Sequence, residues 1–235
     1  MKRICSLILA VLLAILATSL LVACGGGMTE KQWNDAMDYL KTCDTVTITY
    51  EQEKTANARI TKTYDTRTLQ YDATKGMLYA EQKIKTYNIF DVLLEQTSKY
   101  QYVEVVEQEL HYYDKTVKDN RDTSWEATKR SFDSEVEVIQ QLNQVFLSYL
   151  KLYQLDNFNY ADFTAKRGKY EKSEIVNDKN AVWKITFSDA KMSNAHYETS
   201  HKRGSSDIDY TKISISIQYS VEITAPSDLE HSYWK

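Results

Sequence analysis

His196 and Glu198 stand two residues apart in NAHYETSHK, so on a strand they share one face. An imidazole beside a carboxylate there is an acid–base pair or two thirds of a metal site. No third ligand or nucleophile accompanies them, and a solvated strand face is the preferred reading. His201 falls on the opposite face, and His111, among tyrosines, reads as packing. Asp207 and Asp209 follow the polar RGSSD loop, and Asp119 and Asp122 lie in KDNRD. Oxygen ligands of this kind can hold calcium, but the calcium-loop spacing is missing, so both read as turns. Cys43 ends an apolar helical pattern with no histidine near it, which suits a small buried hydrophobe better than a nucleophile. GxSxG, HExxH, a phosphate-binding glycine loop and paired CxxC are all missing. The expectation is a non-catalytic protein with no metal and no cofactor.

Aromatic residues are the other candidates. The chain has 18 tyrosines. Tyr100, Tyr102, Tyr112 and Tyr113 cluster in KYQYVEVVEQELHYYDK, while Phe146, Tyr149 and Tyr153 lie on one amphipathic helix. Rings of this kind stack on sugars, line apolar pockets or form interfaces. Tyr100, Tyr102, Tyr112, Phe146, Tyr149 and Tyr153 are taken as candidate ligand contacts. For any single one, core filling is the plainer reading.

These side chains need a scaffold. In TEKQWNDAMDYLKTC, Thr29 and Gln32 have capping-box spacing, and Trp33, Ala36, Met37 and Leu40 form one apolar helix face. Ser134 and Glu137 can cap a second, longer helix. Its stripe is Val138, Leu142, Val145, Tyr149 and Leu152, widened by Ile139, Phe146, Leu150 and Tyr153, a face broad enough to pack across a sheet. Strands are read in DTVTITYEQE, ARITKTYDT and RTLQYDA, with a turn at Asp65-Thr66 and another at Thr74-Lys75-Gly76. MLYAEQKIKTYNIF holds a further strand, and Ile89 to Leu94 reads equally as short helix or strand. KYQYVEVVEQELHYYDK is strand-like, with a bulge expected where alternation slips at Val105–Val106. KYEKSEIV, AVWKITF, NAHYETSHK and TKISISIQYSVEIT follow the long helix. The last alternates Ile213, Ile215, Ile217, Tyr219, Val221 and Ile223 on one face until Pro226, as in an antiparallel sheet with one dry and one wet face. Strands cluster on both sides of the long helix, which predicts an α+β fold: an antiparallel sheet with an N-terminal helix and a central helix packed on it.

Mild acidity, a formal −4, argues against a nucleic-acid partner. Lys2 and Arg3 precede LILAVLLAILATSLLVA, an apolar run that reads as a secretory signal or an uncleaved anchor. Leu21-Val22-Ala23-Cys24 resembles the bacterial lipobox, and that resemblance implies cleavage before Cys24, diacylglyceryl on its thiol, and attachment by acyl chains to the extracytoplasmic face of the cell membrane. Gly25-Gly26-Gly27 then makes a tether. The domain plan is a signal at 1–23, lipidated cysteine and tether at 24–28, one α+β domain at 29–227, and a tail at 228–235.

With EKQWNDAMDYL and VTITY early, and YADFTAKRGKYEKSEI and VWKITFSDAKM late, the chain resembles the small surface lipoproteins of Gram-positive-type bacteria, mostly of unknown function. By element order alone it is similar to half-open-barrel lipoprotein carriers of the LolA and LppX type, where a curved antiparallel sheet encloses an apolar cavity. That likeness implies binding of a hydrophobic or lipid-like ligand between the sheet and the Val138–Tyr153 helix, by analogy of fold. The alternative is an accessory or interaction subunit at the cell surface presenting Tyr112 and Tyr113, with no partner named by the sequence. A hydrolase or metal enzyme built on His196 and Glu198 ranks below both.

Overall fold

The computed structural model describes residues 27–56, 61–121, 123–156, 158–166, 168–176, 179–200, 210–229 and 233–234. The apolar run at 7–23, Cys24, Asp122, His201, Asp207 and Asp209 lie outside them. Helix α1 (Glu30–Thr42) starts as its sequence predicts: the Thr29 side chain accepts from the Gln32 backbone, and the Gln32 side chain accepts from the Thr29 backbone. Trp33, Ala36, Met37 and Leu40 are its buried face.

Six strands follow as a meander: β1 (Thr45–Ala56), β2 (Thr61–Asp72), β3 (Met77–Asn88), β4 (Leu93–Val106), β5 (Glu109–Lys118) and β6 (Glu126–Ser131). Helix α2 (Glu135–Leu152), capped by Ser134, precedes a 3-10 turn at Tyr160–Asp162. Then come β7 (Thr164–Lys166), β8 (Lys169–Val176), β9 (Lys179–Ser188), β10 (Lys191–Ser200), β11 (Tyr210–Gln218) and a short β12 (Tyr233–Trp234). All twelve form one sheet, in the order β12-β6-β5-β4-β3-β2-β1-β11-β10-β9-β8-β7. Eleven strands pair antiparallel, and β12 joins β6 in parallel. Among the described residues β12 and β7 are the two edges, so the sheet is not closed. The two halves of the chain meet where β1 pairs with β11, Ile48 opposite Ile217.

Alternation assigns the faces. Val46, Ile48, Tyr50, Leu69, Tyr71, Leu78, Val103, Leu110, Ile185, Ala195 and Ile215 bury together with the apolar residues of both helices. Trp33 is fully buried among the rings of Tyr160, Phe163, Tyr170 and Phe187. Phe146 stacks on Tyr71, centroids 4.3 Å apart. The buried stripe of α2 is Val138, Leu142, Phe146 and Leu150, rotated slightly from the expected one; Ile139 and Leu152 are exposed and Val145 is half-buried.

Several sequence expectations are corrected. Asp65-Thr66 is no turn: β2 runs unbroken through it, because Asp65 is buried and paired with Arg67 on the helix-bearing face. KYQYVEVVEQELHYYDK is two strands around a Glu107-Gln108 turn, which explains the slip at Val105–Val106; the register shift lies instead opposite Thr86/Tyr87. Ile89 to Leu94 is the β3–β4 turn and the start of β4. The turn at Gly76 is as expected. Gly76 has φ +65°, and a Cβ there would lie 2.9 Å from Val105 Cβ.

The strand expected to run to Pro226, β11, ends at Gln218. The chain then crosses the other face of the sheet. Thr47 Oγ1 donates to Ser220 O (2.9 Å), and Gln70 Nε2 to Glu222 O (3.3 Å). Ile223 buries there with Tyr102, Tyr113, Trp125 and Ala127, so this face has a dry cluster of its own. Residues 228–235, expected to be a tail, contribute Asp228, which accepts from Trp125 Nε1 (2.8 Å) and Lys115 Nζ (3.0 Å), and β12.

Candidate binding cleft

The helix face of the sheet is apolar until the last turn of α2, where it becomes polar. Arg67, Gln82 and Gln101 sit in phase with Leu69, Leu78 and Val103 on their strands, and so point to the side of α2. With Tyr149, Leu152 and Tyr153 they line a half-open cleft of about 230 Å³, extended by Lys99, Asp114 and Thr116. A second, open groove at the β5–β6 connection, about 690 Å³, shares Asp114, Lys115 and Thr116 with it.

The polar side chains of the cleft are held by hydrogen bonds. Arg67 Nη2 donates to Asp65 Oδ2 at 2.6 Å and Nε to Oδ1 at 3.1 Å, while Gln82 Nε2 donates to Asp65 Oδ2 at 3.0 Å. The guanidinium carbon lies 4.7 Å from the Tyr50 ring centroid and 5.7 Å from that of Tyr153. Burial works to lower the Arg67 pKa, but the hydrogen bond and charge of Asp65 outweigh it and the net shift is upward. Tyr149 Oη donates to Gln101 Oε1 at 2.9 Å, and Gln101 Nε2 donates to Asp114 Oδ1 at 2.8 Å. Burial, helped by the Asp114 charge, pushes the Tyr149 hydroxyl up to about 12. Burial also raises Tyr153 against the opposing charge of Arg67. Both phenols therefore stay protonated at neutral pH and serve as donors and ring surfaces, not as bases.

The six candidate contact residues do not converge. Tyr149 and Tyr153 form the wall of the cleft. Tyr100 borders it, with its ring against Trp125 on the opposite face. Tyr102 is fully buried on that opposite face, its hydroxyl 3.0 Å from Glu104 Oε2. Tyr112 packs half-buried on the main core, and Phe146 is spent in its stack with Tyr71. Where α2 packs on the sheet, Val138, Leu142, Phe146 and Leu150 are buried. Sequence reasoning missed Arg67, Gln82 and Gln101. Their signal was available, since each polar residue shares the parity of buried apolar neighbours on its own strand.

The remaining candidates are ordinary. His196 Nδ1 lies 3.3 Å from Ser214 Oγ and Nε2 3.6 Å from Glu198. His111 Nε2 lies 3.0 Å from Glu109. Among the described residues, no three or more histidine, cysteine, aspartate or glutamate side chains are grouped to hold a metal. Burial raises the Cys43 thiol to about 11. Among the described residues no helix is long and apolar enough to cross a membrane.

No protein-family model matches the chain, and no curated protein matches it. Among solved structures, the chain is similar to the crystal structure of a β-barrel-like protein of domain of unknown function DUF1849 from Brucella abortus, with 7% sequence identity and a TM-score of 0.30 over 74% of this chain and 97% of that one.

Proposed function

We propose that this chain is a non-catalytic lipoprotein held at the extracytoplasmic face of the cell membrane through Cys24, and that its cleft beside the end of α2 binds a small amphiphile. The reading takes the sheet as a half-open barrel around the two helices. The observation that carries it is the cleft: a polar floor of Arg67, Gln82 and Gln101 against a wall of Tyr149, Leu152 and Tyr153. A polar group would meet fixed donors and acceptors on the floor, and an apolar part would lie along the rings and Leu152. At about 230 Å³ the cleft falls below the roughly 300–1,000 Å³ of drug-sized sites, so it suits a headgroup or short molecule and not whole acyl chains. The lipobox resemblance supplies the address.

The test is intact mass spectrometry of the full chain purified from membranes, first denatured and then native. A mature N-terminus at Cys24 carrying diacylglycerol supports the anchor, and an unmodified, uncut leader refutes it. A bound small mass that is lost in Gln101→Ala supports the cleft. A wild-type chain with nothing bound, or a mass retained equally by the variant, refutes it.

A further inference from the structure

The link between β7 and β8 is Lys166-Arg167-Gly168-Lys169 in sequence, with three cations in four residues. Gly168 takes φ +78°, a left-handed conformation that glycine adopts without steric cost. Lys166 and Lys169 are both exposed, and Arg167 lies outside the described residues. Lys166 Nζ lies 3.2 Å from Glu171 Oε2, whereas Lys169 makes no ion pair with another described residue.

The chain enters the fold beside this turn. A Cβ on Gly27 would stand 3.0 Å from Ala165 Cβ and 3.2 Å from Tyr170 Oη. The Met28 N–H donates to Tyr170 Oη, and Tyr160 Oη donates to Met28 O at 3.1 Å. Both of these rings pack on the fully buried Trp33, so the entry point is fixed at the β7–β8 corner. Two glycines separate Gly27 from Cys24, a reach on the order of 10 Å. Acyl chains on Cys24 therefore hold this corner at the bilayer surface, where weak contacts act at high effective concentration.

The rest of the same rim is not basic. In the antiparallel sheet the β2–β3, β4–β5 and β9–β10 connections share that rim with β7–β8. The β4–β5 turn carries Glu107 and the β9–β10 turn Asp189, while Lys75 at β2–β3 lies 3.8 Å from Asp72. At the corner itself the acidic side chains are already matched: Glu171 by Lys166, Asp162 by Lys172 at 3.6 Å, and Glu30 by its neighbour Lys31 in the first turn of α1. Lys169 adds a charge that none of these offsets.

We infer that the β7–β8 turn docks on anionic lipid headgroups of the membrane that holds Cys24 and so fixes which end of the sheet faces the bilayer. Acyl chains on a glycine tether leave the body free to tilt, and a cationic turn beside the tether removes that freedom. An unpaired lysine near an anionic surface favours the docked body about fivefold, and salt screens the effect. The β3–β4 connection, on the opposite rim, then stands away from the bilayer. This inference rests on the anchoring reading.

The test uses the full chain, processed and reconstituted into vesicles that carry a nitroxide on a fraction of the lipid headgroups. Thr164→Cys, exposed beside the turn, and Phe90→Cys, at the opposite rim, each carry a thiol-linked bimane; Cys43 is buried and leaves the label selective. Flotation reads the anchor, and quenching reads the orientation. In vesicles of phosphatidylglycerol and phosphatidylcholine, position 164 should be quenched well above position 90. That difference should shrink in vesicles of phosphatidylcholine alone, and in the variant Lys166→Gln with Lys169→Gln. Quenching at 164 that ignores both changes means that the tether alone holds the corner there, which overturns docking by the turn. Protein that floats with 164 quenched no more than 90 also overturns it and leaves the anchor standing. Failure to float overturns the anchor and the inference together.

Discussion

Arg67 Nη2 lies 2.6 Å from Asp65 Oδ2, two residues away on the same strand, with both side chains turned into the face that α2 covers. Their side chains are 14% and 7% exposed. Removing one member of such a pair leaves an uncompensated buried charge, at a cost of about 3–5 kcal/mol. Asp65→Ala should lower unfolding stability by that order. The double change Asp65→Ala with Arg67→Met should cost less than Asp65→Ala alone, because no unpaired charge remains. Denaturant titration decides it: a double variant less stable than the single one sinks the argument.

Phe146 tests whether α2 itself fills the concave face of the sheet. It is fully buried and stacked on Tyr71, so Phe146→Ala should cost about 3–5 kcal/mol. Leu152, six residues on, is 56% exposed, and Leu152→Ala should stay within about 0.5 kcal/mol. Similar losses at the two positions would show that the helix face is misassigned.

Both helices were legible because their caps and stripes are local. Thr29 with Gln32, and Ser134 with Glu137, mark the starts within four residues, and Trp33 to Leu40 give the face. Strand alternation was legible too, but parity does not name the covering layer. Ile223 continues the rhythm of Ile213, yet it buries on the other face, because the chain leaves β11 after Gln218 and crosses the sheet. Asp65 misled for a related reason. An aspartate between polar residues signals a turn, and only the non-local partner Gln82 and the neighbour Arg67 show why a strand accepts it. Parity marks Arg67, Gln82 and Gln101 singly, but not the cleft, because its walls come from α2, β2, β3, β4 and β5, brought together by strand pairing and by the packing of α2 on the sheet.

Cys43 should be inert in the folded chain. Its thiol is buried and raised to about 11, chiefly by desolvation, so little thiolate exists at neutral pH. Iodoacetamide should leave it unmodified under native conditions and alkylate it once denaturant is added. Rapid native alkylation would mean the α1–β1 junction opens.

Glu109 gives the fold an acid-sensitive contact. Its carboxylate accepts from His111 Nε2 (3.0 Å), Lys129 Nζ (3.0 Å) and Ser131 Oγ (2.9 Å), which lowers its pKa from 4.5 to about 2. A depressed carboxylate contributes its full stabilisation above the unfolded value, and that contribution is lost as pH falls through the folded one. The wild-type chain should therefore lose part of its stability between 4.5 and about 2 through this residue. Glu109→Gln should be less stable than wild type at neutral pH, and the gap should close toward the acid end. Melting curves that stay parallel across that window would remove Glu109 from the account.

The crossing segment should depend on Trp125. Its indole N–H donates to Asp228 Oδ1 at 2.8 Å, and Lys115 holds the other oxygen at 3.0 Å. These bonds, indole first, hold the Asp228 carboxyl below the usual range. Trp125→Phe keeps an aromatic ring beside Tyr100 but removes the donor, and with Asp228 half exposed the loss should be about 1 kcal/mol. The effect should be local. Hydrogen exchange should quicken over residues 221–229, which the main core does not cover, while α2 and β1 keep their protection. Faster exchange throughout the sheet would mean that the segment is part of the global folding unit. No change in residues 221–229 would mean that Ile223 alone pins it to Tyr102 and Ala127.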